Sequence, residues 1–306
     1  MNFTVTILGS SSAIPTSTRN PTSLLVNMNY NYFLVDCGEG TQIQLRRFHF
    51  KMQKINHIFI SHLHGDHFFG LIGLISSFHL IGRKDVLHIY GSPLLEEVVR
   101  LQLKVSQTDL IYPLIFHIVD TERPQVIYED DERYVKAFPL NHSIPTTGFL
   151  FCEKQRPRKM KKSFLAAENV PVEEIPKIKA GADFINEAGM VFKNKDITIS
   201  PPKPKKFAFC SDTGYHEPVV DEIRDVNLLY HEATFKNDME KVAEEKLHST
   251  AAQAATIAAK ANAGALVIGH FSARYKHLDE LLNEARAIFP QTWLAEDGKI
   301  FQVKAK

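Results

Sequence analysis

Three histidines and one aspartate lie within six consecutive positions and form the pattern HxHxDH: His62, His64, Asp66 and His67. The cluster follows directly on an apolar stretch, residues 58–60, which is typical of a buried strand. Imidazole nitrogens and carboxylate oxygens are ligands that suit zinc and similar divalent ions. We therefore expect the chain to fold so that the end of this strand faces a metal site.

Three further candidate ligands stand in the same position relative to predicted strands. They are His142, Asp212 and His270, which follow residues 138–140, 207–210 and 266–269. Because the placement is repeated, it predicts that all seven side chains gather at one edge of the fold. Asp36 ends another apolar strand, residues 32–35, and is a candidate either for orienting a ligand imidazole or for a plain turn.

Seven ligands exceed the four of a single tetrahedral zinc and suit two metal ions that share a bridging carboxylate and a bridging water. In such sites the ions lie roughly 3.5–4 Å apart, and the pKa of the bound water falls from about 15.7 to near 7. This arrangement favours hydrolysis by in-line attack of hydroxide on a phosphorus or acyl centre. Mn²⁺ tolerates a similar ligand set, so the residue types leave the identity of the metal open.

Strand and helix signals alternate along the chain and predict a layered α/β protein with mixed sheets. Strands are predicted at residues 3–8, 23–26, 32–35, 86–90, 126–128, 133–138, 207–210, 227–230 and 265–269. Helices are predicted at residues 68–80, from Pro93 behind the cap residue Ser92, at 250–261 and at 278–289. Asp297-Gly298 predicts a hairpin turn between two short strands.

The composition is that of a soluble globular chain, with 306 residues, 44% hydrophobic and 23% charged. No run of roughly 18 apolar residues is present, so we expect no membrane helix, and the N-terminal stretch has the pattern of a strand rather than a signal peptide. The three widely spaced cysteines, Cys37, Cys152 and Cys210, favour a reducing cytoplasm. The net charge of +1 gives no general attraction to nucleic acid, so binding to a polyanion requires a local patch.

Residues 153–206 depart from this alternation and are rich in Lys, Arg, Glu and Pro. Six positive charges fall within nine positions there: Lys154, Arg156, Arg158, Lys159, Lys161 and Lys162. One interpretation is a solvated, partly mobile insertion, and the other is an electrostatic grip on phosphates. Contacts to six single-strand-like phosphates would give a salt slope of roughly −4.

The HxHxDH cluster with its later His, Asp and His resembles the metallo-β-lactamase superfamily. Two further motifs are more discriminating, since His231-Glu232-Ala233-Thr234 and His248-Ser249-Thr250 resemble the HEAT and HST motifs of RNase Z, the tRNA 3′-processing endonuclease family. Supporting stretches are residues 15–20, 36–42, 211–213, 272–275 and 294–299. The resemblance extends from residue 3 to about residue 303 and is weakest in the insertion.

The resemblance implies an α/β fold of the metallo-β-lactamase type, a four-layer αββα sandwich of two mixed β-sheets flanked by helices. It implies one domain, residues 1–306, with an inserted basic arm at about 153–206. It also implies two zinc ions per subunit. In this resemblance His62, His64 and His142 match the ligands of one zinc, Asp66, His67 and His270 match those of the other, and Asp212 matches the bridge.

Catalytic roles are carried over by the same resemblance. Asp66 would take a proton from the attacking water, and His248, held in position by Glu232, would protonate the departing 3′-oxygen. The plain alternatives for these last two are a loop histidine and a surface acid. His231 is expected to be structural, and Arg274 is expected either to contact a substrate phosphate or to form a surface ion pair. Attack by water would leave a 3′-hydroxyl on the tRNA and a 5′-phosphate on the trailer.

The insertion coincides with the family's flexible arm, which grips the tRNA elbow away from the scissile bond. The resemblance therefore implies precursor tRNA as a partner, and a homodimer in which the arm of one subunit serves the tRNA on the other. The chain departs from the family pattern at two places. Residues 171–176 stand where the arm's Gly-Pro element is expected, and Ser17 stands where a lysine is common. We expect the basic run to compensate electrostatically for the altered arm.

Two competing functions remain open from the sequence alone. Another hydrolase of the superfamily would act on small phosphodiesters, sulfate esters or lactones, but a small substrate needs no remote phosphate grip. A non-catalytic RNA-binding or assembly module would have no use for an activated water, and so would not need seven intact ligands. The HEAT and HST motifs favour the tRNA endonuclease over both.

Overall fold

The computed structural model describes residues 2–306, and its strands form two large sheets and two small ones. In chain order the strands are β1 (Phe3–Gly9), β2 (Ser23–Met28), β3 (Asn31–Val35), β4 (Ile55–Phe59), β5 (Leu87–Gly91), β6 (Leu114–Ile118), β7 (Gln125–Glu129), β8 (Arg133–Leu140), β9 (Thr146–Glu153), β10 (Lys159–Met160), β11 (Phe184–Ile185), β12 (Val191–Phe192), β13 (Thr198–Ile199), β14 (Lys206–Cys210), β15 (Leu228–Glu232), β16 (Leu266–Gly269), β17 (Thr292–Leu294) and β18 (Ile300–Gln302).

Each large sheet has seven strands and mixes parallel with antiparallel pairs. The first sheet has the order β18-β1-β2-β3-β4-β5-β6, and the second has the order β17-β16-β15-β14-β9-β8-β7. Strands β3 to β6 run parallel in the first sheet, and β14 to β17 run parallel in the second. Strand β8 is antiparallel to β9, which is antiparallel to β14, so β8 has the direction of β14.

Each helix lies between two of these strands in the chain. They are α1 (Thr41–Arg47), α2 (Gly65–Phe68), α3 (Leu71–Leu80), α4 (Pro93–Val105), α5 (Lys162–Ala167), α6 (Glu174–Ala180), α7 (Asn194–Ile197), α8 (Val219–Glu222), α9 (Glu240–Lys246), α10 (Ala251–Lys260) and α11 (Asp279–Ile288). No helix in residues 2–306 is both long and apolar enough to span a membrane.

The two large sheets pack face to face through aromatic side chains. Phe33 of β3 lies 5.9 Å from Phe151 of β9, and Phe59 of β4 lies 5.5 Å from Phe149, measured between ring centroids. Because successive side chains of a strand point to opposite faces, the alternate residues of the same strands face away from this layer. Thus Leu34 belongs to a second buried cluster, which lies between the first sheet and its helices.

Helices cover the outer face of each sheet, which gives four layers in the order helix, sheet, sheet, helix. Residues of α1, α3 and α4 share a buried cluster with the first sheet. The buried alanines of α10, together with Leu281 and Ala285 of α11, belong to the cluster that contains the second sheet. Two mixed sheets flanked by helices are the predicted fold class, and the prediction is confirmed.

The basic arm at residues 153–206 leaves the second sheet after β9 and returns to it at β14. It contains two small strand pairs, β10 with β13 and β11 with β12, and three short helices, α5 to α7. Its own small core consists of Met160, Ile178, Phe184 and Ile197. The arm is therefore locally packed, although its sequence shows little periodicity.

Two predicted elements differ from the structure. The helix predicted at 68–80 is divided into α2 and α3, because the Gly70 N–H donates to the Cys37 carbonyl at 2.9 Å and not to the preceding helical turn. The chain passes so close there that a side chain on Gly70 would lie 2.0 Å from the carbonyl oxygen of Gly38. The hairpin predicted at Asp297-Gly298 is wrong: the turn exists, but β17 pairs with β16 in the second sheet and β18 pairs with β1 in the first. That turn is the crossing between the sheets.

Asp297 explains why this crossing is fixed in place. Its carboxylate accepts hydrogen bonds from the Ser10 hydroxyl at 2.8 Å, from the backbone N–H of Asn20 at 2.8 Å and from the Gln44 amide at 3.2 Å. Ser10 and Asn20 lie at the two ends of the loop between β1 and β2, and Gln44 lies on α1. The turn residue thus joins segments that are far apart in the sequence.

Candidate metal centre

The predicted ligands lie where strands of the same direction end. In the first sheet β3 leads to Asp36, and β4 leads to the HxHxDH cluster and α2. In the second sheet β8, β14 and β16 lead to His142, Asp212 and His270. Since parallel strands end at one edge of a sheet and the two sheets pack face to face, the two groups of loops meet over that edge. The predicted gathering of ligands is therefore observed.

One group of donor atoms surrounds the Oδ2 oxygen of Asp212. His62 Nε2 lies 3.7 Å from this oxygen, and His142 Nε2 lies 3.8 Å from it. His64 contributes Nδ1, which lies 3.1 Å from each of those two imidazole nitrogens. The four donors lie within 4.8 Å of one another, a spacing that suits one metal ion at their centre.

A second group surrounds the other oxygen of the same carboxylate. His67 Nε2 and His270 Nε2 lie 3.3 Å and 3.2 Å from Asp212 Oδ1. Asp66 Oδ2 lies 3.4 Å from His67 Nε2 and 3.2 Å from His270 Nε2. One carboxylate thus faces two separate sets of nitrogen and oxygen donors, which is the geometry of a bridge between two ions.

Two buried atoms at the centre have no hydrogen-bond partner among residues 2–306. They are His67 Nε2 and Asp212 Oδ1. A buried polar atom without a partner is costly, and coordination to a cation satisfies both of these atoms at once. Burial alone would raise the pKa of Asp212, but the imidazoles of His270 and His67 hold it well below its usual range. The residues present therefore fit a divalent metal centre.

Hydrogen bonds orient each imidazole whose Nε2 faces the centre. His67 Nδ1 donates to Asp36 Oδ2 at 2.7 Å, and Asp36 is itself held by the backbone N–H and the hydroxyl of Ser61. His142 Nδ1 donates to the Leu247 carbonyl at 2.9 Å, and His270 Nδ1 lies 2.9 Å from the Thr234 hydroxyl. Such contacts fix which nitrogen is free to bind a metal. Of the two interpretations of Asp36, the one in which it orients a ligand imidazole agrees with this geometry.

The Ser61, Thr234 and Leu247 contacts were not predicted. Ser61 precedes the ligand cluster directly, so its position next to His62 was the one available signal. Thr234 is the last residue of the HEAT motif, but its contact with His270 depends on how β15 and β16 pair. Leu247 acts through its backbone carbonyl, which no side-chain pattern in the sequence can reveal.

Glu232 and His248 form a pair beside the second donor group. His248 Nδ1 donates to Glu232 Oε1 at 2.8 Å, and the His248 ring stacks at 5.4 Å on that of His270. Glu232 also accepts the backbone N–H groups of Thr213, Thr234 and Ser249 at 2.9 to 3.1 Å. Glu232, His248 and His270 also lie close enough to form a third donor group, but hydrogen-bond donors already occupy the Glu232 carboxylate. This geometry favours a role for Glu232 in holding His248.

His231 lies in β15 and takes no part in either donor group. Its side chain is buried, and its Nδ1 donates to the Glu232 carbonyl at 2.7 Å. Burial lowers the pKa of His231, which therefore stays neutral in the sheet. The structural role expected for it agrees with this position.

Arg274 and the basic run belong to neither donor group. The Arg274 guanidinium contacts Met239 Sδ and lies 5.0 Å from the Phe235 ring centroid, and it makes no ion pair within residues 2–306. In the basic run Lys154 pairs with Glu129 at 2.6 Å, and Arg158 donates to the Thr198 hydroxyl. The other four cations have no carboxylate partner in the described chain: Arg156, Lys159, Lys161 and Lys162.

The open cleft in front of the donor groups has an apolar wall that the sequence did not predict. It is formed by Ala13, Pro15, Pro21 and Phe69, while the polar lining consists of Ser12, Glu39, His64, Asp66, Asp212, His248 and His270. Residues 10–22 precede β2 as an irregular loop, and nothing in their composition indicates which of them face a ligand.

A four-layer αββα sandwich with two His/Asp donor groups that share one carboxylate defines a divalent-metal hydrolase of the metallo-β-lactamase fold. Known proteins agree with this class. The Ribonuclease Z of Bacteroides thetaiotaomicron is 48% identical over 296 residues, 97% of this chain and 94% of that protein. The crystal structure of human tRNase Z, short form, has a TM-score of 0.71 at 28% identity and covers 98% of this chain and 99% of that one.

Two other matches are less specific. The metallo-β-lactamase fold protein YhfI from Bacillus subtilis has a TM-score of 0.69 at 17% identity, covers 99% of this chain and 100% of that one, and shares the fold. The family model described as anti-Pycsar protein Apyc1 matches residues 3–112 only. Because it matches a Ribonuclease Z at 48% identity over nearly the full length of both proteins, the chain belongs to the ribonuclease Z family. Family and site together make it a metal-dependent phosphodiesterase.

Proposed function

We propose that this chain removes the 3′ trailer from precursor tRNA as a zinc-dependent endoribonuclease. Family membership makes it a tRNA 3′-processing endoribonuclease, and the observation that carries the mechanism is the Glu232–His248 pair beside the shared carboxylate of Asp212. A general acid at this point is what phosphodiester cleavage needs, because the departing oxygen must gain a proton. The small-substrate alternative has no such support from the relatives.

The donor groups would hold two zinc ions. His62, His64 and His142 would bind one ion, and Asp66, His67 and His270 the other, with Asp212 bridging them. Imidazole and carboxylate donors in sets of four suit zinc, and the unpartnered atoms His67 Nε2 and Asp212 Oδ1 support a bound cation. Two such ions supply Lewis acidity and a nucleophilic water at neutral pH.

The residues of the chain would then move two protons. Asp66 would accept one from the attacking water, since its Oδ2 faces the centre. His248 would give one to the departing 3′-oxygen from Nε2, because its Nδ1 is engaged by Glu232. Direct attack by water needs no ribose 2′-hydroxyl, so the products would be a tRNA 3′-hydroxyl and a trailer 5′-phosphate.

Substrate affinity would come from cations outside the cleft. Arg274 is exposed and lacks a carboxylate partner within residues 2–306, which supports a phosphate contact near the cleft. The arm would hold tRNA away from the scissile bond through Lys154, Arg156, Arg158, Lys159, Lys161 and Lys162. We regard residues 1–306 as one domain with this arm as an insertion, since β18 near the C-terminus pairs with β1.

The assembly and the compartment also follow the family resemblance. The enzyme would be a homodimer in which one subunit's arm serves the tRNA on the other, and sedimentation of the purified protein tests this. It would act in the cytoplasm, where three buried free thiols remain reduced.

The test is end mapping of a precursor tRNA that has been incubated with purified, metal-analysed protein. The expected products are a tRNA ending in a 3′-hydroxyl and a trailer beginning with a 5′-phosphate. The matched control is Asp66→Ala, which should abolish cleavage. A 2′,3′-cyclic phosphate product would contradict attack by water, and hydrolysis of bis(p-nitrophenyl) phosphate without any cleavage of precursor tRNA would overturn the proposed substrate.

A further inference from the structure

Phe69 is an exposed aromatic side chain at the metal cleft. It directly follows α2, which carries Asp66 and His67, and 63% of the residue is accessible to solvent. Exposure of a large apolar ring gives no stability to the fold, because the hydrophobic effect rewards only area removed from water. The ring lines the same cleft as His64, Asp66 and His248.

The ring is held in a defined place by its neighbours. A side chain on Gly65 would lie 2.2 Å from Phe69 Cε2, so only the absence of a Cβ atom at Gly65 lets the ring lie against this backbone. Phe68, which is buried against α3, meets the Phe69 ring edge to face at 5.1 Å. The ring is therefore positioned by the same short segment that carries Asp66.

The cleft is lined by two kinds of residue. Its polar residues are the metal donors, His248, Ser12 and Glu39, and its apolar residues are Phe69, Pro15, Pro21 and Ala13. A nucleotide adjoins a scissile phosphodiester on each side, so a substrate bound at the donors brings a base close to this lining. The Phe69 ring has no hydrogen-bond donor or acceptor, so it can offer a base a flat surface but cannot read its polar edge.

We propose that Phe69 is a stacking platform for a nucleobase that adjoins the scissile phosphate. This proposal rests on the proposed function and extends it to substrate positioning. Single-stranded RNA is held by stacking of its bases on aromatic side chains, and the contact is tolerant of sequence because every base has a flat face. Phe69 thus selects for the presence of a base and not for its identity, and it is a positioning residue rather than a catalytic one.

The test compares wild-type enzyme and Phe69→Ala on the natural precursor and on precursors with an abasic nucleotide at either position that flanks the scissile phosphate. At one of the two positions the abasic precursor should lower kcat/KM of the wild-type enzyme roughly five- to 150-fold, the effect of one lost stacking contact. Phe69→Ala should cause a similar loss with the natural precursor and no further loss with that abasic one. Exchange among the four bases should change kcat/KM much less.

Several controls separate stacking from a structural effect. Phe69→Trp and Phe69→Tyr should restore cleavage, and all three variants should keep the metal content and the Tm of the wild-type enzyme. Tyr30→Ala removes another exposed ring, at the opposite end of β3 from Asp36, and should cleave normally. Independent, multiplying losses at both positions, or no loss in Phe69→Ala, would overturn the proposal. Failure of the wild-type enzyme to cleave the natural precursor would overturn the proposed function itself.

Discussion

At the scale of single residues, Glu232 is the point on which hydrogen bonds of the site converge. Three backbone N–H groups, the Thr234 hydroxyl and the His248 imidazole all donate to its buried carboxylate. Because Thr234 also contacts His270, hydrogen bonds through the carboxylate connect His248 to the second donor group. His248 is therefore fixed both in its orientation and in the nitrogen that it presents to the cleft.

Replacing His248 should affect chemistry rather than metal binding. We expect His248→Ala to lower the single-turnover rate on precursor tRNA by on the order of 10²–10⁴, because the departing oxygen loses its proton donor. Metal content should equal that of the wild-type protein, since His248 belongs to neither donor group that contains Asp212. An unchanged single-turnover rate would remove His248 from the mechanism.

The pH dependence of the same step should report on the Glu232–His248 pair. Burial lowers the pKa of His248, but the Glu232 carboxylate outweighs burial and raises that pKa to about 9. The protonated acid is therefore present at neutral pH and is lost as pH rises through about 9, where the single-turnover rate should fall. Glu232→Gln removes the charge that raises the pKa, so the single-turnover rate of this variant should fall at a lower pH. If the rate of the metal-replete Glu232→Gln variant fell at the same pH as that of the wild type, the titration would belong to another group.

At the scale of elements, the arm contains two kinds of cationic side chain, those paired with a carboxylate and those without such a partner. Lys177 and Lys193 are paired with Glu174 and Asp183, whereas Lys159 and Lys162 are exposed and unpaired in the described chain. A paired surface cation has little free charge for a phosphate. The unpaired cations are thus the part of the arm that can replace counterions on RNA.

Neutralising the unpaired cations should weaken binding without affecting the chemistry. In the triple variant Arg156→Ala, Lys159→Ala, Lys162→Ala, we expect the salt dependence of precursor tRNA binding to flatten by about 2 in its log–log slope. Hydrolysis of bis(p-nitrophenyl) phosphate should remain unchanged. The matched control is Lys177→Ala with Lys193→Ala, which should leave the slope as it is. Equal losses of both activities in the triple variant would argue against a remote grip.

The same scale shows how far sequence patterns extend. The strands that carry ligands were predictable because each is a short apolar run followed by a polar ligand. The helix predicted at 250–261 begins with a capping box formed by Thr250 and Gln253. The crossing between the sheets at Asp297-Gly298 could not be predicted, because a tight turn between two strands indicates a hairpin unless the pairing partners of the strands are known. The helix predicted at 68–80 contains Phe69 in its interior for a related reason. The close approach of Gly70 to Gly38 next to Phe69 is a tertiary contact, which the sequence does not show.

At the scale of the whole molecule, the metal centre joins the two sheets. The HxHxDH ligands follow β4 of the first sheet, and His142, Asp212 and His270 follow strands of the second. The strand pattern predicted that these ends meet, and the family resemblance implied Asp212 as the bridge. The strand pattern alone could not show that Asp212 divides its two oxygens between the donor groups, since this depends on the packing of one sheet on the other. A cation at this position is a cross-link between the halves of the sandwich.

Metal removal should therefore lower the stability of the entire fold. An ion at 1,000 times its Kd stabilises the folded state by about 4 kcal/mol, so chelation should lower Tm by on the order of 10 °C. Differential scanning calorimetry of the holoenzyme, with and without chelator and with metal analysis of both samples, measures this shift. Asp212→Ala removes the donor shared by both groups, so its Tm should respond far less to chelator. If confirmed removal of metal left the wild-type Tm unchanged, the ions would contribute nothing to the stability of the fold, and a cross-link between the two sheets would be ruled out.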